Sequence, residues 1–138
     1  MRHVNRYILL TIGVFTLSFL LKASLPQVAT GSWGSANSMS SLHDGGCSVL
    51  LQDGRILVSG GSDDGGPTSR VDTFNTDGTW SSALPMLSPR AHQVCAVLQG
   101  GQVLVAGGIT TGGGVTNSAE MFDPTANTWS QLPVMTEA

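Results

Sequence analysis

After residue 30, apolar residues occur in short runs separated by clusters of glycine, serine, threonine, asparagine and aspartate. Runs of this kind, bounded by turn-forming residues, predict β-strands, and the pattern shows no helical period in this part of the chain. In the second half, the pattern predicts four strands, at residues 92–98, 102–106, 117–122 and 128–132. Glycine-containing turns join the strands, so we expect a four-stranded antiparallel meander.

This pattern occurs twice. Gly60-Gly61 and Gly107-Gly108 each close an apolar strand, and their first members, at positions 60 and 107, lie 47 residues apart. A Trp and a Met follow each doublet, at Trp80 and Met86 and at Trp129 and Met135. A fixed period of about 40–50 residues built from strands is typical of propeller blades, which stack because one meander alone buries too little apolar surface. The paired glycines are expected where the backbone passes close to a bulky neighbouring side chain.

A third Trp-to-Met pair, Trp33 and Met39, precedes the repeats and matches only the fourth strand of a blade. We therefore predict a partial propeller domain over 30–138, with a strand at 31–39, a blade at 41–87 and a second blade at 88–135. Propellers have about 4–8 blades, and no further strand pattern follows Met135. We expect a propeller truncated at its C-terminus. The alternative is closure by self-association through the open blade faces, for instance with three copies in a six-bladed ring.

The N-terminus follows a different pattern. A basic start is followed by an uncharged apolar run from Tyr7 to Leu21, which Lys22 ends. This predicted helix is shorter than the roughly 20 apolar residues of a membrane span, so residues 1–29 resemble a secretory signal. The small residues expected at a cleavage site are poorly placed, and an uncleaved membrane anchor is therefore the alternative. In both cases we expect the remaining chain to be extracytoplasmic, either secreted or anchored, with membrane contact only through this segment.

Composition narrows the possible partners. Charged residues make up 11% of the chain and the formal net charge is −3. Beyond residue 29, only Arg55, Arg70 and Arg90 are basic. A nucleic-acid partner is excluded on this basis, because phosphate binding requires clustered Lys or Arg.

The order of residues within each repeat resembles the kelch motif. The second repeat carries the motif in full, with Arg90, His92, Gly101, Gly107-Gly108, Glu120, Phe122-Asp123-Pro124, Trp129 and Met135. The first repeat is looser, since Asp72 replaces the Glu and Asn75 replaces the Asp. The resemblance covers about residues 31–138. It implies an all-β kelch-type β-propeller segment, with two four-stranded blades and one strand of another, after an N-terminal apolar helix.

The chain is also similar to the kelch part of galactose-oxidase-like proteins, which are exported copper-radical oxidases. The resemblance implies a copper site with two Tyr and two His ligands. Tyr7, in the apolar leader, is the only tyrosine, and only His43 and His92 lie outside that leader. This chain alone therefore does not supply the copper site, and we expect no cofactor, no metal site and no catalytic residue.

Several other polar residues match structural positions of the motif. The resemblance places His43 and His92 where an imidazole bonds to neighbouring backbone, and Arg90 and Glu120 where an ion pair or backbone contact is structural. We expect the tryptophans to pack between blades. The loop Ser62-Asp63-Asp64-Gly65-Gly66 lacks the ligand spacing of an EF-hand. The run Gly112-Gly113-Gly114 lacks the Lys and the helix of a phosphate loop.

Cys47 and Cys95 fall within one position of each other in the repeat alignment, on the first strand of successive blades. A disulfide between them would suit an exported protein. However, a disulfide requires Cα atoms within about 7 Å, and adjacent blades diverge from the propeller axis. We therefore favour two buried thiols.

Together these patterns predict an exported kelch-repeat protein that acts as a binding module rather than an enzyme. The candidate surfaces for a protein or glycan are the inter-strand loops Ser62–Arg70 and Ile109–Thr116. The alternative is a fragment of a larger propeller enzyme, galactose-oxidase-like or glycan-active, whose active residues are absent here.

Overall fold

The computed structural model describes residues 34–137, and ten strands lie in this part of the chain. The first blade and a small hairpin within it comprise β1 (Cys47–Leu50), β2 (Ile56–Ser59), β3 (Ser62–Asp63), β4 (Gly66–Pro67), β5 (Val71–Phe74) and β6 (Trp80–Ser82). The second blade comprises β7 (Val94–Val97), β8 (Val103–Ala106), β9 (Ala119–Asp123) and β10 (Thr128–Gln131). The predicted all-β class and the two four-stranded blades are confirmed.

Each blade is an antiparallel meander. Blade one has the order β1-β2-β5-β6, and blade two has the equivalent order from β7 to β10. The four strands predicted for blade two are present, each shorter than the apolar run that predicted it. The leader predicted at 1–29 lies outside the described residues. So does the start of the strand predicted at 31–39, and residues 34–39 take no regular secondary structure. Within residues 34–137, no helix is long and apolar enough to cross a membrane.

Pairing register shows which residues of the two blades are equivalent. In blade one, Ile56 pairs with Phe74, and Phe74 pairs with Trp80. In blade two, the same row is formed by Val103, Phe122 and Trp129. The Phe and Trp rings contact each other in both blades, with centroids 5.0 Å and 4.9 Å apart. The two meanders are therefore structural copies of each other.

Because side chains alternate along a strand, each blade has two faces. We call face A the side that carries Leu57 and Val71 in blade one, and Leu104 and Ala119 in blade two. Face B is the opposite side, which carries the row with the Phe and Trp rings. The main core lies between face A of blade one and face B of blade two. Its buried members are Leu51, Leu57, Val71, Met86, Val103, Val105 and Phe122.

A disulfide joins β1 to β7. Cys47 and Cys95 are bonded, with Cα atoms 6.1 Å apart. The prediction of two free thiols was therefore wrong. Register explains the bond, since Cys47 pairs with Ser59 whereas Val94, one position before Cys95, pairs with Ala106. The offset of one position puts the two cysteines on opposite faces of their blades, and those faces meet in the core. The first strands are also in contact, so divergence of the blades does not separate these two residues.

Candidate functional site

The second blade contains a buried ion pair at the start of its first strand. Arg90 Nη2 donates to Glu120 Oε1 at 2.7 Å, and both side chains are fully buried. Arg90 Nη1 also donates to the carbonyl oxygens of Gly107 and Ser118, at 3.0 Å each. The Glu120 carboxylate accepts the backbone N–H groups of Leu87 and Ser88. The ion pair therefore fixes the linker that enters blade two, as expected for a structural role.

The first blade contains the same arrangement with different residues. His43 Nδ1 donates to the Gly60 carbonyl oxygen at 2.6 Å, and Nε2 lies 3.2 Å from Asp72 Oδ2. Ser40 and Ser41 donate their hydroxyls to the Asp72 carboxylate, at 2.9 Å and 2.8 Å. His43 thus occupies the place of Arg90, and Asp72 occupies the place of Glu120. The predicted structural contact of His43 with backbone is confirmed.

Asp72 is ionised in this cluster. Burial of its carboxyl group opposes ionisation, but hydrogen bonds from Ser41, Ser40, His43 and Ser82 outweigh that effect, so the pKa of Asp72 is lowered. The Gly60 carbonyl and the Asp72 carboxylate are both acceptors. Each imidazole nitrogen of His43 therefore faces an acceptor. The His43 side chain is only 2% exposed, and that of Asp72 is 1% exposed.

His92 does not repeat the environment of His43. It is exposed, has a positive φ of 56°, and donates its backbone N–H to the Gly45 carbonyl. Its ring lies over Gly45, where an added Cβ would come within 2.6 Å of the imidazole. The His92 backbone N–H, and not its ring, makes the hydrogen bond to Gly45, so the expected hydrogen bond from the His92 ring to backbone is not found among residues 34–137. Arg90, and not His92, is the counterpart of His43, because each of these side chains donates to the carbonyl of the first glycine in its doublet.

The serine, histidine and aspartate of blade one are not arranged for nucleophilic catalysis. Ser41 donates to Asp72 rather than to His43. His43 has no nitrogen free to accept a serine proton, because one faces Asp72 and the other faces the Gly60 carbonyl. A nucleophilic triad needs the imidazole between the hydroxyl and the carboxylate. The cluster therefore serves the fold.

The Ser62–Arg70 and Ile109–Thr116 loops stand at the same end of the two blades, which we call the loop end. The linker between the blades connects them, because Arg90 donates its backbone N–H to Thr68 while Ala91 pairs with Ile109. The loops differ in structure. The first contains the β3–β4 hairpin. The second closes through the Ile109–Val115 bridge, and Thr110 donates to the Gly114 carbonyl.

Among the described residues, the loop end does not contain a cluster of side chains placed to hold a metal ion. Asp63 Oδ1 accepts the Gly65 backbone N–H at 2.8 Å, which is a local turn contact. Across residues 34–137, no group of three or more His, Cys, Asp or Glu side chains is placed to hold a metal ion. The exposed side chains left for contact with a partner include Asp64, Thr111 and Val115.

The opposite end, which we call the turn end, is formed by the tight turns between the other strands. A cleft of about 460 Å³ lies there between the blades, lined by residues of three turns that include Gln52, Gly101 and Asp123. Gln52 donates across the cleft to the Gln99 carbonyl, and Asp123 caps the turn by accepting the N–H of Thr125. The side chains of Gln52 and Asp123 thus already make hydrogen bonds to other residues of the turn end.

Comparison with known proteins identifies the repeat. Residues 90–136 match the model of the kelch motif. This segment is a kelch repeat. The first blade is its structural copy, with the same strand order and the same row of ring contacts. No curated protein matches this chain.

Among solved structures, a fungal alcohol oxidase of the AA5 family, in complex with copper, is similar to this chain. The TM-score is 0.53 and the sequence identity is 29%. The match covers 62% of this chain but only 18% of the oxidase. The matched part of this chain therefore corresponds to a small part of that enzyme.

The residues present do not fit the copper site that this likeness implies. Tyr7 is the only tyrosine of the chain, and it lies outside the described residues. Of the two histidines beyond the leader, His43 has both nitrogens engaged within blade one. His92 is exposed, and it belongs to no group of three or more possible ligands among residues 34–137. We therefore derive no copper chemistry for this chain.

Proposed function

We propose that this chain is part of an exported kelch propeller that binds a protein or a glycan through its loop end. The observation that carries the proposal is the division of roles between residues. The acidic residue that each repeat carries, Asp72 or Glu120, is buried in structural contacts. The two loops at the loop end differ from each other in sequence and in hydrogen bonding, which is typical of surfaces selected for recognition.

Two further observations support export. The basic and apolar leader at residues 1–29 resembles a secretory signal. The Cys47–Cys95 disulfide joins the first strands of the two blades, and disulfides persist in oxidising compartments rather than in the cytosol. Neither observation depends on the other, and both favour a chain that functions outside the cytoplasm.

The proposal is tested with a panel of immobilised glycans and a displayed peptide library as probes. A loop variant carrying Asp64→Ala, Thr111→Ala and Val115→Ala changes three exposed side chains of the loop end. A matched control carries Thr76→Ala and Thr125→Ala, which are exposed at the turn end. We expect the loop variant to lose at least about tenfold in affinity, equivalent to about 1.4 kcal/mol, and the control to bind as the parent does. Absence of any bound glycan or peptide, or equal loss in both variants, would contradict the proposal.

A second candidate is that the two blades belong to a larger propeller enzyme whose active residues lie elsewhere. The likeness to the AA5 alcohol oxidase favours it, because the match exceeds a general likeness of fold. The flanking genomic sequence separates the two candidates. Further kelch repeats carrying Tyr and His ligands would support an enzyme, whereas further repeats without such ligands would support the binding module.

A further inference from the structure

Each blade has one face that the other blade does not cover. On face B of blade one, Leu50 is 66% exposed and Ile56 is 37% exposed. On face A of blade two, Val94 is 70% exposed, and Met135 at its edge is 37% exposed. Large exposed apolar side chains grouped on one sheet face mark an interaction surface. Both faces are therefore candidate interaction surfaces.

Both open faces are repeats of the faces that already pack together in the interface between the two blades. The open face B carries Leu50, Ile56, Phe74 and Trp80, at the positions that Val97, Val103, Phe122 and Trp129 occupy in the closed interface. The open face A carries Val94, Ala96, Leu104 and Met121, at the positions that Cys47, Val49, Leu57 and Thr73 occupy in the closed interface. The two open faces are therefore complementary in the way that the two closed faces are.

Charge does not prevent this contact. Asp72 is the acidic residue on the open face B, and its carboxylate already has partners in Ser40, Ser41 and His43. Its counterpart Glu120 lies fully buried within the closed interface, where it is satisfied in the same way. On the open face A, the strand residues of β7 and β8 are uncharged. Asp123, at the end of β9, is the acidic residue on this face, and its carboxylate accepts the N–H groups of Thr125 and Ala126 within its own turn.

We propose that face B of blade one in one copy packs on face A of blade two in a second copy, repeating the interface found within each chain. The contact is head to tail, because it joins two different surfaces. Such an interface closes into a ring when the rotation between copies allows it, and otherwise extends. The proposal concerns assembly, and it stands whether or not the loop end binds a protein or a glycan.

The disulfide gives this interface a measurable geometry. Cys47 and Cys95 mark a place in the closed interface where the Cα atoms of facing blades lie 6.1 Å apart. The equivalent positions in the open faces are Val94, in the place of Cys47, and Ser48, in the place of Cys95. If a second copy repeats the interface, Val94 of one copy faces Ser48 of the next at a separation that a disulfide can span.

Disulfide trapping tests this directly. The variants Ser48→Cys and Val94→Cys are prepared separately as full chains, mixed, and oxidised under mild conditions. Because each molecule carries only one new thiol, a covalent bond between positions 48 and 94 joins two copies. We expect crosslinked dimers in the mixture at least about tenfold above either variant alone, with the joined peptides identified by mass spectrometry. A matched control mixes Asp77→Cys with Gln99→Cys, which are exposed at the turn end.

A second measurement does not rely on new thiols. Ile56→Glu places a charge on the open face B, and Val115→Glu places one at an exposed site in the loop. We expect Ile56→Glu to weaken association at least about tenfold in sedimentation equilibrium, equivalent to about 1.4 kcal/mol, and Val115→Glu to leave it unchanged. A monomer at all concentrations, a crosslink no stronger than in the control mixture, or association unaffected by Ile56→Glu would each overturn the proposal. Any of these results would mean that the open faces take another partner, such as the N-terminal residues of the same chain or a blade of a different chain.

Discussion

The two glycine doublets show how similar residues experience different constraints. Gly60 and Gly107 have similar φ angles of 61° and 67°. A Cβ on Gly60 would lie 2.5 Å from both the Arg90 carbonyl oxygen and Gln93 Nε2, because the linker and blade two pack directly on this glycine. A Cβ on Gly107 would have no heavy atom closer than 3.7 Å. Blade two therefore imposes on Gly60 a steric constraint that Gly107 does not have.

We expect Gly60→Ala to destabilise the protein more than Gly107→Ala. Both substitutions place a Cβ in the left-handed region, which costs about 1–2 kcal/mol. Gly60→Ala also forces a contact with backbone in a packed core, and such overpacking adds about 1–3 kcal/mol. Urea denaturation of the two variants measures the difference, and each serves as the control for the other. Equal destabilisation would contradict the close packing of blade two on Gly60.

The Asp72 carboxylate predicts a pH dependence. Its pKa is lowered in the folded state from the ordinary value of 3.8. Its contribution to the free energy of unfolding is therefore complete above pH 3.8 and is lost as the pH falls from there through the lowered pKa. We expect the stability difference between the parent protein and Asp72→Asn to shrink over this acidic range, as followed by urea denaturation at each pH.

The control for this measurement is Asp64→Asn, because Asp64 is exposed in the first loop. Its profile should follow that of the parent protein. Asp53 and Asp77 also have lowered pKa values, caused by hydrogen bonds from Arg55 and from Thr79 respectively. Both are retained in Asp72→Asn, so this variant should keep part of the acid dependence. A difference that stays constant down to the lowest pH would show that Asp72 does not titrate as described.

At the scale of elements, the disulfide links the first strands of the two blades. The cysteines are 48 residues apart in sequence. In the chain-entropy description, closing a loop of this length in the unfolded state stabilises the native state by about 4 kcal/mol. Because β1 and β7 both face the shared core, the bond reinforces an interface that apolar packing already forms.

We expect the variant with Cys47→Ala and Cys95→Ala to lose about 4 kcal/mol of unfolding free energy. Reduction of the parent protein should cause a loss of similar size. Urea denaturation with and without a reducing agent measures both effects. The double variant is its own control, since the reducing agent should not change its stability. A reductant effect of the same size in the double variant would show that the loss does not come from this bond.

The first two strands of each blade were predictable from sequence because β1, β2, β7 and β8 each coincide with an apolar run between turn residues. The short strands β3 and β4 carry no such run, and their segment was predicted as a loop. The runs extend beyond the strands, since residues such as His92 and Gln102 lie in the irregular segments that flank them. The disulfide was missed for a different reason. Cys47 and Cys95 differ by one position in the repeat alignment, and the distance between blades alone does not predict their pairing. The alternation of faces along a strand, applied to this offset, places the two thiols opposite each other.

At the scale of the whole molecule, the core belongs to the pair of blades rather than to either blade. Leu57 and Val71 come from blade one, whereas Val103 and Phe122 come from blade two. The repeat in the sequence predicted this dependence, since one meander buries too little surface to be stable by itself. The environment of each polar side chain could not be predicted in this way. His43 and Arg90 differ in chemistry, although they are 47 residues apart, as the first glycines of the doublets are, and both contact the first glycine of their doublet.

The contacts between each acidic residue and its linker have an evolutionary consequence. Glu120 holds the linker through backbone N–H groups, which every residue except proline provides, so positions 87 and 88 are free to vary in sequence. Asp72 holds the equivalent segment through the hydroxyls of Ser40 and Ser41. That contact survives only if both positions keep a hydroxyl. Descendants of this gene should therefore accumulate substitutions at the entrance to blade two more readily than at the entrance to blade one.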